Sequence, residues 1–260
     1  SEGKQHGKGR MIWPDGRSYQ GEFRDDKMHG SGTYFLPDGR KYEGQWSEDQ
    51  RSGQGVYLWP DGRRYEGQLA AGKPHGQGVK VWASGKKYEG SWKQGERNGQ
   101  GRLTAPDGTV TEGVFQNGKL QGPGKMTWAD GRSYEGEFSA GLKQGQGTYR
   151  WPDGKIYEGQ WKADKRHGDG KMSWPDGWKY EGQWSKDMRN GKGSMRSPTG
   201  EVYTGAFVAN KRHGQGTLEL PDGSKYIGPF RDDKPHGKGV QVTPDGRKVK
   251  GRWKNGQPVQ

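Results

Sequence analysis

Gly9-Arg10-Met11-Ile12-Trp13-Pro14-Asp15-Gly16-Arg17-Ser18-Tyr19-Gln20-Gly21-Glu22-Phe23 sets two alternating runs around one turn signal. Pro14 presets φ at the first turn position, Asp15 suits the second, and Gly16 supplies the left-handed residue of a three-residue loop with a bulge. Such a turn pairs Trp13 with Arg17, Met11 with Tyr19, Gly9 with Gly21 and Gly7 with Phe23. Strand side chains alternate, so these residues share one face, made of aromatics and glycine. Lys8, Arg10, Ile12, Ser18, Gln20 and Glu22 share the other, mostly polar face. The stretch reads as a β-hairpin.

It recurs. The glycine of the Tyr-Gln-Gly or Tyr-Glu-Gly triplet stands at Gly21, Gly44, Gly67 and onward to Gly251, in steps of 23 residues. The second glycine of Gly-X-Gly, from Gly9 to Gly239, and the turn glycine, from Gly16 to Gly246, keep the same step. Eleven units fit without an insertion, which predicts a single repeat domain over residues 1–260, with units at about 6–258 and the last a cap. The expected fold is all-β: a single-layer, elongated array of antiparallel β-hairpins (a meander of 22 short strands), twisted into a trough-like solenoid with the aromatic face concave.

Composition points the same way. The 260 residues include 50 glycines and only 26% hydrophobic residues, too few aliphatics for a two-layer core. Aromatics at 12% argue against disorder. Glycine weakens a strand unless something packs over its bare backbone, and here a Tyr or Trp ring is expected to lie across Gly-X-Gly of its own or a neighbouring hairpin. The formal charge of +13 favours anionic partners. Absence of cysteine removes disulfides, thiolate nucleophiles and cysteine metal sites. No run approaches the ~18 apolar residues of a spanning helix.

Tyr42-Glu43-Gly44-Gln45-Trp46, and Pro74-His75-Gly76-Gln77-Gly78 one unit later, resemble the MORN (membrane occupation and recognition nexus) repeat. The resemblance runs from Gln5 to about Pro258. It implies a non-catalytic array serving membrane association, phospholipid contact or protein scaffolding, often with dimerisation. Three units depart from the pattern: Ala105 and Thr111 in the fifth, Ser197 and Thr204 in the ninth, Thr243, Val249 and Lys250 in the last. The divergent end suits a cap or a homodimer formed through the C-terminal units.

Candidate chemistry obeys the repeat instead of breaking it. His6, His29, His75, His167, His213 and His236 share one repeat position, filled elsewhere by Ser52, Asn98, Gln121, Gln144 and Asn190, which suggests a side-chain hydrogen bond before Gly-X-Gly. The aspartates sit in turns, and Arg102, Lys125 and Lys171 lie opposite Glu112, Glu135 and Glu181 as ordinary cross-strand pairs. No metal, cofactor or catalytic set is expected, and the chain reads as no enzyme.

Three sets of residues are left as candidate surfaces. The aromatic trough comprises Trp13, Tyr19, Trp59, Tyr65, Trp82, Tyr88, Trp128, Tyr134, Trp151, Tyr157, Trp174 and Tyr180. An apolar stripe of Ile12, Phe35, Leu58 and Val81 marks the otherwise polar face. Anion-binding candidates are Arg17, Arg40, Arg63, Lys86, Arg132 and Lys155 at the rim, and Lys165, Arg166, Lys211 and Arg212 in loops. The reading favours a scaffold that holds an extended or helical protein segment in the trough or on the stripe. Its alternative is peripheral association with anionic phospholipid headgroups; nucleic acid ranks last. The location expected is the cytoplasm, at a membrane or a cytoskeletal structure.

Overall fold

The computed structural model describes residues 3–259, which hold strands and turns and no helix. The chain forms two compact units, Ser1–Ala129 and Asp130–Gln260. Within each, consecutive strands pair antiparallel as a meander.

The first hairpin shows why. Strand Gly7–Ile12 pairs with Ser18–Arg24, Gly7 opposite Phe23, Gly9 opposite Gly21 and Met11 opposite Tyr19, the register expected. Trp13 N–H donates to Arg17 O and Gly16 N–H to Trp13 O, both at 2.9 Å, with Gly16 at φ 87°. These two bonds close the three-residue loop, and the same pair closes Trp59 on Arg63 and Trp151 on Lys155. Successive hairpins are joined by two-residue turns with both residues left-handed, as at Asp25 (φ 52°) and Asp26 (φ 67°). That is the turn geometry whose twist matches the flanking strands.

A bulge follows each such turn. Strand Lys27–Phe35 has nine residues against the seven of Ser18–Arg24, so Phe23 faces Met28 while Gly21 faces Gly32. Gly30 takes φ 59° within the bulge, and Ser31 N–H donates to Glu22 Oε1 at 3.2 Å. Gln45, Gln68, Gln160 and Gln183 serve the equivalent N–H groups of Gln54, Gln77, Asp169 and Lys192 at 2.8–3.1 Å. The polar residue after each Tyr-X-Gly is therefore a backbone partner for the bulge.

The core is a row of rings over glycine. Tyr19, Tyr42, Tyr88, Tyr134 and Tyr157 have no exposed surface. A Cβ on Gly44 would stand 2.6 Å from Tyr42 Oη, and one on Gly55, its partner in the next hairpin, 2.5 Å from Tyr42 Cε2. Each ring thus roofs glycines of two hairpins, as expected, and couples them. Its hydroxyl donates to the carbonyl three residues on, Tyr42 to Gln45 O and Tyr157 to Gln160 O, both at 2.9 Å. The large ring ending the second strand packs edge-on against two tyrosines: Trp46 lies 5.2 Å from Tyr42 and 5.4 Å from Tyr19. Trp46 Nε1 donates to Gly32 O at 3.2 Å.

Some particulars differ from expectation. The described residues hold 24 strands, because one is split into Lys234–Pro235 and Gly237–Val242, and Gln257–Val259 adds a last short one. Pro229 and Pro235, facing strands at the split, have no N–H to give the ladder. The histidine position reaches the turn in some hairpins only: Ala163 N–H donates to Gln144 Oε1 at 3.2 Å, and His6 Nε2 lies 3.4 Å from Asp25 Oδ1. In others it does not: Nδ1 of His29 and of His236 is buried without a partner, and His29 offers its carbonyl as a second acceptor to Tyr19 Oη at 3.3 Å, beyond Glu22 O at 2.9 Å. The ordinary cross-strand pairs Arg102–Glu112 and Lys171–Glu181 form at 3.0 Å.

Candidate functional site

The aromatic set divides by depth. Tyr19, Tyr65, Tyr88, Tyr134, Tyr157 and Tyr180 are sealed, with at most 1% of their surface exposed. Trp13, Trp59, Trp82, Trp128, Trp151 and Trp174 are half-buried at the turns, so the tryptophans are the members a partner can reach. Burial pushes the hydroxyls of Tyr19, Tyr42, Tyr65 and Tyr180 up to about 12. They are neutral donors at every physiological pH.

Most rim cations face their own turn. Arg17, Arg40, Arg63, Arg132 and Lys155 pair with Asp15, Asp38, Asp61, Asp130 and Asp153 at 2.6–2.8 Å. The backbone N–H and guanidinium of Arg17 hold the Asp15 carboxyl below its ordinary range. Arg17 and Arg63 also stack over Trp13 and Trp59, 5.4 and 5.3 Å from the ring centres. Lys86 lacks such a carboxylate, because Ser84 stands where the turn aspartate falls elsewhere.

A second column of cations crosses the aromatic face of each unit. Arg51 and Arg97 belong to the first, Lys143, Arg166, Arg189 and Arg212 to the second, each one residue before the histidine position. Arg166 lies 5.7 Å from the Tyr157 ring and 4.5 Å from Trp184; Arg97 lies 5.6 Å from Tyr88 and 5.3 Å from Phe115. In the second unit the column is tied to the next turn. Arg166 N–H and Nε donate to Asp187 Oδ1 at 3.0 and 3.2 Å, and Nη2 to Asp187 O at 3.0 Å. Arg189 repeats the pattern on Asn210, and Arg212 N–H donates to Asp233 Oδ1 at 2.8 Å. Of the loop candidates, Lys211 reaches Asp232 at 3.4 Å, and Lys165 is exposed. Arg51, Arg97, Lys143 and Arg189 were not singled out from sequence. Their signal was available: a long cation before His, Asn, Ser or Gln, at alternate repeats from Arg51 to Lys143 and at every repeat from there to Arg212.

On the opposite face the apolar residues stand out. Ile12 is 63% exposed, Phe35 44% and Leu58 37%, with Val81 half-buried. The register interleaves them with Ser18, Lys41 and Arg64: Ile12, Ser18, Phe35, Lys41, Leu58, Arg64, Val81 in one line across the strands. Lys41 and Arg64 are themselves paired, with Glu43 at 2.8 Å and with Glu66. The free quality of this line is therefore apolar.

Among the described residues no group of three or more His, Asp or Glu side chains could hold a metal ion, and no helix is long and apolar enough to cross a membrane. Hairpins in one phase, with a core made on one face of a sheet, define a β-hairpin repeat protein. The chain belongs to the MORN repeat family, whose model matches residues 1–16, 19–39, 42–63, 65–87, 88–110, 112–131, 134–156, 157–179, 180–202, 203–225 and 226–246. No curated protein sequence matches it. Among solved structures it is similar to the TCP10 domain of Danio rerio CPAP in complex with a STIL peptide, at 14% identity over 95% of this chain and 99% of that one, TM-score 0.30. It is also similar to the Drosophila melanogaster SAS-4 TCP domain in complex with a proline-rich motif of Ana2 (13%, 95% and 90%, TM-score 0.19) and to virginiamycin B lyase of Staphylococcus aureus (10%, 96% and 85%, TM-score 0.17). Likenesses this loose carry no argument about the chain.

Proposed function

We propose that the chain is a non-catalytic scaffold that holds a helical segment of a partner protein along the line of Ile12, Phe35, Leu58 and Val81. One observation carries the reading: large apolar side chains exposed on a face whose neighbouring charges are already paired. A solvated face gains nothing from Phe35 or Leu58. Their spacing selects the ligand. Apolar positions recur every second strand, about 9.6 Å apart, and seven residues of α-helix rise about 10.5 Å. A helix laid across the strands therefore meets one apolar side chain per heptad. An extended segment covers that distance in about three residues and points alternate side chains away. Membership of the MORN repeat family is in keeping with a scaffolding role.

Peptides selected from a random display library on the full chain test this. The expected outcome is enrichment of sequences with apolar residues seven apart, whose binding falls when Phe35 and Leu58 are both changed to serine. Undiminished binding to that double variant would remove the line from consideration. The competing reading, adsorption to anionic headgroups, draws on the net charge of +13. Co-sedimentation with phosphatidylserine vesicles at low salt decides it: protein left in the supernatant ends the membrane reading. Pairing of five rim cations with turn aspartates weighs against it.

A further inference from the structure

The fourth hairpin breaks the repeat in two places, and a column cation of the fifth, Arg97, reaches over its Tyr88 ring. Lys80 occupies the position held by Tyr34 and Tyr57 in the two hairpins before it, with Tyr65 and Tyr88 directly opposite across the ladder. It therefore stands on the aromatic face. Lys86 is the rim cation whose turn carries Ser84 in place of aspartate. Arg97 is a column cation whose next turn presents Gly118, as the turn after Arg51 presents Gly72, where Asp187 or Asp233 stands in the second unit. The lysine adds a cation to the aromatic face, and neither the turn beside Lys86 nor the turn after Arg97 offers a carboxylate.

Trp82 lies beside the two lysines. Lys80 Nζ is 5.1 Å and Lys86 Nζ 5.5 Å from its ring centre. Among the described residues no carboxylate pairs with Lys80, Lys86 or Arg97. Arg97 Nη2 donates to Gly118 O at 2.5 Å, but Nη1 is buried with no acceptor at all. Arg97 is felt by both lysines: burial first, then the charge of Arg63 and Arg97, depresses Lys80, and burial followed by Arg97 depresses Lys86. Arg63 contributes less free charge, being held by Asp61 at 2.7 Å. Half-buried like charges around an orphaned donor are unfavourable until an anion arrives.

We propose that Lys80, Lys86 and Arg97 form a binding site for a phosphate monoester, carried on a phosphorylated side chain of a partner segment. A phosphomonoester carries close to two negative charges at neutral pH and three acceptor oxygens, which suits three donors better than a single carboxylate. A side-chain phosphate can enter beside Trp82, at the turn, whereas the planar surface of a bilayer cannot follow to a donor buried on the aromatic face beside Tyr88. The site lies on the face opposite Phe35 and Leu58, so it and the helix-binding line can fail separately.

The test uses the full chain labelled with 15N and reads the Trp82 indole N–H resonance, assigned by Trp82→Phe. Probes are a short phosphoserine peptide, its serine and glutamate counterparts, inorganic phosphate, and phosphatidic acid vesicles. The phosphoserine peptide and, more weakly, inorganic phosphate are expected to shift that resonance saturably, and the serine peptide is not. Lys80→Gln with Lys86→Gln should weaken the phosphopeptide by about tenfold or more. Ser84→Asp is the sharper variant, because it restores the turn carboxylate that Asp153 offers Lys155 at 2.8 Å and disturbs nothing buried. It should weaken binding in the same direction, while circular dichroism stays unchanged. No shift with either phosphate probe overturns the proposal. So does phosphopeptide binding indifferent to Ser84→Asp, or retention by the vesicles alone.

Discussion

Gly170→Ala makes the roofing of glycine a question of sign. Gly170 is buried, and its φ lies outside the left-handed region, so alanine meets no backbone objection there. In an open strand, alanine for glycine would stabilise by about 0.5–1 kcal/mol, through the smaller entropy lost on folding. Here the new Cβ would stand 2.6 Å from both Cε2 and Cζ of Tyr157. The ring cannot yield easily. It is fully buried, it lies 5.2 Å from Trp161 and 5.3 Å from Trp184, and its hydroxyl is bonded to Gln160 O at 2.9 Å. Overpacking of this kind costs about 1–3 kcal/mol, and loss of the hydroxyl bond adds about 1 kcal/mol. The balance is a destabilisation of about 1–3 kcal/mol after the entropy gain. Gly9→Ala is the internal control, since its Cβ would meet Phe23 Cε2 at an ordinary 3.4 Å, and it should be neutral or mildly stabilising. Urea unfolding gives the sign, and hydrogen exchange gives the place: protection should fall first in strands Ile156–Lys162 and Lys165–Ser173. A stabilised Gly170→Ala, or equal effects at both sites, would refute the ring as the core.

Other consequences follow from single interactions. Asp187→Gly keeps the left-handed turn, as Gly118 does, but removes the acceptor of Arg166 N–H and Nε; with Asp187 partly exposed, urea unfolding should show a loss of about 1 kcal/mol. Phe35→Ser with Leu58→Ser should leave stability within about 0.5 kcal/mol, because both side chains are exposed; a larger loss would make the line structural. Alkali should unfold the chain through its tyrosines. Burial raises Tyr42 and Tyr65 from 10.0 to about 12, so the neutral phenol is favoured by folding. That contribution is complete below pH 10 and disappears as pH climbs to about 12. Phenolate absorbance should therefore rise in that window together with loss of sheet, whereas in urea it should rise near the ordinary tyrosine value.

How far the fold could be read from sequence depended on which turn was asked. Trp13-Pro14-Asp15-Gly16-Arg17 names its own geometry, because Pro and Gly fix φ at set places and the register of both flanking strands follows. The turn between hairpins does not. Asp25-Asp26, Ala163-Asp164 and Lys186-Asp187 are all left-handed pairs, yet it is Asn117-Gly118 and Asn255-Gly256 that carry the composition announcing one. With that turn unread, the segment from Arg24 to Met28 stays an undefined loop. Neither the bulge at Gly30 nor the column of Arg97 and Arg166 beside it can then be placed. The sealed tyrosines were legible as glycine cover, but their complete burial was not. It depends on a second ring, such as Trp46 over Tyr19 of the preceding hairpin, and no single repeat contains that contact.

A sheet with one covered face cannot hide a charge in a second layer, and this chain resolves the matter locally, turn by turn. Where the turn offers a carboxylate, as Asp61 does to Arg63 and Asp187 to Arg166, the cation becomes part of the scaffold. Where it does not, the same residue type at the same repeat position remains unsatisfied. Repetition thus makes the exceptions informative, because ten other hairpins show what each position does when it is only structural. By that comparison Lys80 and Lys86 are set apart by two small sequence changes, a lysine for a tyrosine and a serine for an aspartate, beside Arg97, whose next turn carries glycine. Phe35 and Leu58 are set apart on the other face by exposed rings and methyls that serve no hairpin. Changes that cost the array stability or solubility and recur within a few strands of one another imply a ligand that offsets them. The repeat itself supplies the control substitutions, Ser84→Asp and Lys80→Tyr, that return each position to its structural state.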